Sequence, residues 1–181
     1  MAAWAATGRA GLEVLREVLS QRRPPAWSGI SSRAALDNLA AAVVRIAAVE
    51  PAAFLDVFDD EVLASDSFVL DGLGEIDDPR ATRRLLRALR TDDSLIRVHA
   101  VMALGRHSRS LAVAALAAAL SDREYLVRYH ALRGLAAMGD ASALPALAAF
   151  DRDTEVEGEL AAQATAAIRG RTTGADTLRI P

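Results

Sequence analysis

The chain contains no cysteine and no lysine. Without thiols there are no disulfides, no thiolate metal sites and no cysteine nucleophile. All the positive charge rests on 21 arginines. GC-rich coding produces that bias, but it also suits a surface that needs forked guanidinium donors for carboxylates or phosphates. Aromatic residues make up 4% of the chain, with Trp4 and Trp27 among them. That scarcity disfavours a β-sandwich, which draws on aromatic and β-branched residues. No long apolar run escapes charges, so no membrane span is expected. Met1 to Gly11 lacks a basic start followed by an apolar core, so no secretory signal is expected either. The sequence carries no Walker loop, no Gly-x-Ser-x-Gly and no Gly-x-Gly-x-x-Gly. The expectation from these absences is a cytoplasmic protein, more readily non-catalytic than an enzyme, with no cofactor and no metal.

What is present is alanine, leucine and repetition. The 181 residues are 52% hydrophobic, enough for one domain with a substantial core. Leu95-Ile96-Arg97-Val98-His99-Ala100 recurs as Leu126-Val127-Arg128-Tyr129-His130-Ala131. Leu104 and Leu135 extend the match, as do Leu85, Leu116 and Leu147, always at an offset of 31 residues. A fixed period of this kind marks a solenoid, in which each unit buries its apolar face against its neighbours. The expected fold is all-α, an α-solenoid of antiparallel helix pairs.

Helix signals follow in order. Gly8 to Gln21 carries an apolar stripe of Leu12, Leu15, Val18 and Leu19, and the prolines at 24 and 25 end it. Ser31 or Ser32 caps a helix over 33–49, and Pro51 opens one to Phe58. Ser65 or Asp66 starts another that ends near Ile76. Asp78-Pro79 begins a helix through Leu89. Asp92, Asp93 or Ser94 caps one to His107, and Ser108 or Ser110 one to Leu120. Ser121 or Asp122 caps one to Met138. A helix over 141–150 and a last one capped by Asp153 or Thr154, ending near Gly170, complete the series. The expected division is an N-terminal capping helix with a proline-rich linker over 1–32, a repeat array over 33–170 and a flexible tail over 171–181.

The joints Gly72-Leu73-Gly74-Glu75-Ile76-Asp77-Asp78-Pro79 and Met138-Gly139-Asp140-Ala141-Ser142-Ala143-Leu144-Pro145 resemble those of HEAT-like repeats of the phycobilisome-lyase type. Ile96-Arg97 and Val127-Arg128 match that family's Val-Arg pair, and Ala103-Leu104-Gly105 its helix end. The resemblance implies a HEAT-like array and, through relatives that handle bilins, a bilin-lyase-like or other ligand-handling accessory role. An iron-dependent branch of HEAT-repeat hydroxylases carries His-Glu pairs. Here His99 and His130 are each followed by alanine, which argues against that chemistry.

On helical spacing, Ile96, Ala100, Ala103, Leu104 and His107 read as core. Arg97 and Arg128 fall at the edge of that stripe and are expected to form a structural ladder with Asp93 and Asp122 in the preceding turns. Opposite the core lies the expected concave face: Asp71, Val98, His99, Met102, Tyr129, His130, Arg133 and Leu160. His99 and His130 stand where such repeats usually carry small residues. They read as edge histidines, or as a shared phosphate or metal site, although two imidazoles fall short of the roughly four ligands zinc takes. Glu155, Glu157 and Glu159 read as a solvated cluster that favours a helix start.

Charge is segregated: ten acids and no base lie over 50–78, and eleven arginines against four acids over 80–133. The preferred function is a scaffold that binds a partner protein or peptide along the concave face. The alternatives are the ligand-handling role and nucleic-acid binding through the Arg-rich helix over 79–89, which acidic flanks oppose. Head-to-tail pairing of the basic and acidic blocks would give a homo-oligomer.

Overall fold

A computed structural model describes residues 8–20, 33–59, 66–107, 110–151 and 153–177. The proline linker and the caps expected at Ser31, Ser32, Ser65 and Ser108 lie outside them. Among the described residues ten α-helices follow in order: α1 (Gly8–Ser20), α2 (Arg33–Val49), α3 (Pro51–Val57), α4 (Ser67–Leu73), α5 (Pro79–Ala88), α6 (Ser94–Leu104), α7 (Ser110–Ala119), α8 (Tyr125–Met138), α9 (Leu144–Ala149) and α10 (Glu155–Thr177). There is no strand among the described residues.

Side-chain caps set several helix starts. Asp66, Asp78 and Asp93 accept hydrogen bonds from the backbone N–H groups that open α4, α5 and α6, satisfying donors that have no partner within the helix. Pro51, Pro79 and Pro145 sit in first turns, where a missing N–H costs nothing.

The even-numbered helices form one row, α2 on α4 on α6 on α8 on α10. In the other row α1 packs on α3, and α5, α7 and α9 succeed one another. This is an α-solenoid. Its core is continuous between the rows, from Leu12 and Leu15 through Phe54, Leu85, Leu104, Leu116 and Leu135 to Ile168. Two close approaches need glycine. A Cβ on Gly72 would meet the Phe54 ring at 2.7 Å. One on Gly134 would meet Leu116 at 2.9 Å and the Gly105 Cα at 3.3 Å.

Two expectations are corrected. Helix α8 starts at Tyr125, not after Ser121 or Asp122, because the Asp122 carboxylate is used in the turn, accepting from the Glu124 N–H at 2.8 Å. The expected flexible tail over 171–181 is helical as far as it is described: α10 runs to Thr177, and 178–181 lie outside the described residues. The Arg171 guanidinium donates to the carbonyls of Gly139, Ala136 and Leu135 at the end of α8, fixing the last turns where apolar periodicity has run out.

Candidate functional site

The joints between pairs are built from arginine. Arg97 is 5% exposed. Its Nε and Nη2 donate to the two carboxylate oxygens of Asp122 at 2.8 and 3.0 Å. Its Nη1 donates to the carbonyls of Thr91 and Asp92. Arg128 repeats the arrangement one pair on. Nε meets Glu157 and Nη2 meets Asp153, both at 2.8 Å, and Nη1 donates to the Asp122 and Arg123 carbonyls. Each arginine therefore takes carbonyls from the turn before it and carboxylates from the turn after it. The expected pairing with acids of the preceding turn is corrected, and Asp93 serves as the α6 cap. The Asp122 hydrogen bond holds the Arg97 pKa above its ordinary value, as the Glu157 hydrogen bond does for Arg128. Burial acts to raise the Asp122 pKa. The hydrogen bonds from Arg97 and the Glu124 N–H, with the charges of Arg97 and Arg123, outweigh it and hold the carboxyl below the usual aspartate range.

Glu157 is fully buried, which corrects its reading as one of a solvated cluster. Thr154 accepts from the Glu157 N–H at 3.2 Å and donates to its carboxylate at 3.1 Å. This is close to a capping box, whose Thr-x-x-Glu signature is visible in the sequence. His107 is also buried. Its Nε2 donates to the Leu73 carbonyl at 3.0 Å and its Nδ1 accepts from the Thr82 hydroxyl at 3.2 Å, tying α4, α5 and the end of α6 together.

On the solvent side of the even-numbered row, His99 donates through Nδ1 to Asp71 at 3.1 Å, joining α6 to α4. His130 follows on α8, edge-on to Tyr129 with ring centroids 5.1 Å apart. Arg133 lies 5.9 Å above the Tyr129 ring, at the outer limit of a cation–π contact. Burial, then the charges of Arg133 and His99, lower the His130 pKa from its ordinary value. Met102, Arg106, His130 and Arg133 rim a shallow groove of about 230 Å³ over the Gly105–Gly134 contact. Among the described residues, no three His, Asp or Glu side chains come together in a way that holds a metal ion.

Val98 does not belong to this surface. At 8% exposure it is core. Leu160 is half-buried against the core. The solvent-facing stripe is instead Leu95, the half-buried His99, and Met102 on α6, with Arg106 just past its end, matched 31 residues later by Leu126, the half-buried His130, Arg133 and Ala137. Helices α4, α5, α7 and α8 all pack on α6. It is covered on three sides, so apolar spacing alone does not mark its one wet edge. The residues missed are Leu95, Leu126 and Val156, the second residues of α6, α8 and α10, which are 60%, 48% and 47% exposed. The 31-residue register identifies the first two.

Residues 88–169, covering α6 to α9 and most of α10, match the family of HEAT repeats. That part of the chain is similar to HEAT repeats. HEAT repeats commonly serve as protein-interaction scaffolds. No curated protein matches the chain. No described helix is long and apolar enough to cross a membrane.

Proposed function

We propose that this protein is a non-catalytic scaffold that holds a partner protein or peptide along the solvent side of the even-numbered row, the concave wall of the solenoid. The observation that carries this reading is the row Leu95, Leu126 and Val156. Large aliphatic side chains stand exposed at the same helical position in three successive stacked helices. Packed helices lie about 8–10 Å apart, so the row offers evenly spaced apolar contacts. Asp71–His99, Met102, His130 and Arg133 supply polar and soft contacts beside it. Within the HEAT repeats, Ile96-Arg97, Val127-Arg128 and Ala103-Leu104-Gly105 favour the phycobilisome-lyase type.

The test is a double variant, Leu95→Asp with Leu126→Asp. Both side chains are exposed, so the melting temperature should stay close to that of the parent. A partner that co-purifies with the full chain, once identified and purified, should lose most of its affinity for the variant. Undiminished binding would overturn the reading, as would recovery of nothing above background.

A further inference from the structure

Two sets of arginines contrast. Arg84, Arg97, Arg106, Arg128 and Arg171 all donate to carbonyls in neighbouring elements. Arg83, Arg87 and Arg90 do not: they are exposed on α5 and its C-terminal turn and have no hydrogen-bond or ion-pair partner among the described residues. Their spacing of i, i+4 and i+7 lines three guanidinium groups along about 10 Å of one helix face. Like charges at that spacing repel. The helix dipole favours Arg87, in the last turn, but does nothing for Arg83.

Arg90, the last of the three, lines a groove between α5 and α7 of about 390 Å³, with Leu86 and Leu89 beside it, Ala115, Ala118 and Ala119 on the other wall, and Ser121 and Asp122, whose carboxylate Arg97 already holds, completing the lining. The alanine wall lets another chain approach closely, and the leucine wall gives it apolar surface to cover. One pair further on, the groove between α7 and α9 has a similar volume of about 380 Å³, but Asp151 and Asp153 stand at its rim. Asp122 lines both grooves; the first adds Arg90, whereas the second adds Asp151 and the ion-paired Arg128 and Asp153.

We propose that the α5–α7 groove is a second docking site, which takes an acidic segment of a partner protein. The segment places an aliphatic side chain between Leu86 and Ala118 and carboxylates against Arg83, Arg87 and Arg90. Charge complementarity with Arg83, Arg87 and Arg90 favours an acidic occupant here. An aliphatic wall offers nothing to a sugar–phosphate backbone, which favours a peptide over nucleic acid. This site lies on the odd-numbered row and is independent of the face proposed above.

The experiment selects a random-peptide display library on the full chain and measures the selected peptides against Arg83→Gln/Arg87→Gln/Arg90→Gln and, separately, Ala118→Gln. These side chains are exposed and the three arginine side chains make no hydrogen bond or ion pair among the described residues, so both variants should melt no lower than the parent. Selected peptides should be acidic with an embedded aliphatic residue. They should bind the triple variant about tenfold or more weakly, as three lost exposed charge contacts imply, and weaken with added salt. Ala118→Gln should also reduce binding, and Leu95→Asp/Leu126→Asp should leave it unchanged. The proposal fails if the selected peptides are neutral or basic, if they bind the triple variant equally well, or if they weaken with Leu95→Asp/Leu126→Asp. It also fails if a short DNA duplex binds with the same arginine dependence.

Discussion

The joints of this solenoid and its solvent-facing even row use the same polar residue types to different ends. In the joint, Arg97 is enclosed, and each of its donor nitrogens has a carboxylate or carbonyl partner. On the face, Arg133 is exposed, with its guanidinium 5.9 Å over a tyrosine ring, while His99 and Asp71 stay partly wet. A buried ion pair is costly to break because removing one partner strands the other in a poor dielectric. An exposed pair contributes little to folding and is free to serve recognition. The difference teaches that charge near the 31-residue landmarks is structural when it points into a turn and available for recognition when it points off the row.

The sharpest way to break this comparison is Asp122→Ala. It strips Arg97 of both carboxylate contacts and the Glu124 N–H of its acceptor. A loss of about 3 kcal/mol is expected from denaturant unfolding, and a loss below ~1 kcal/mol would mean the joint is no stiffer than the face. The same pair has a pH signature. Because the folded Asp122 pKa is depressed, its contribution is complete at neutral pH. It disappears as pH falls through the ordinary aspartate value towards the lower folded one, and Asp122→Asn should flatten that part of the profile.

A smaller effect is expected at the helix crossing beneath the face. Gly134→Ala would place a Cβ 2.9 Å from Leu116 and 3.3 Å from the Gly105 backbone. Overpacking costs about 1–3 kcal/mol, and alanine returns about 1 kcal/mol of helix propensity. A net loss of roughly 1 kcal/mol in thermal melts is the expected balance of those terms. A stabilised variant would show that α6 and α8 can part at this point without cost.

The smallest effect belongs to the face. The folded pKa of His130 is lowered, so the unfolded chain binds the proton first as pH drops. Stability should therefore decline slightly between the ordinary imidazole value and the lower folded one. His130→Gln should remove that decline in melts recorded across mild acid, and an unchanged profile would mean the ring is as solvated as in the unfolded chain.

Much of the fold was legible because its information is local. Prolines at 51, 79 and 145 and aspartates at 66, 78 and 93 mark helix starts by backbone chemistry that needs no tertiary partner. The candidate face was legible only in part. His99, Met102, His130 and Arg133 reach the wet edge, but Val98 turns inward and Leu95, Leu126 and Val156 turn outward. A helix covered by four neighbours has apolar residues around most of its circumference, and periodicity then loses its power to point.

The sequence alone determined the helix pairs, their 31-residue step and most of their capped starts, because propensity, proline and repetition act within a few residues of each position. Only the tertiary structure decided that each ladder arginine reaches the acids of the following turn, that Glu157 is buried, and that the last helix continues to Thr177. Those outcomes depend on which groups the stacking brings within hydrogen-bond reach across some 25 to 36 residues of chain.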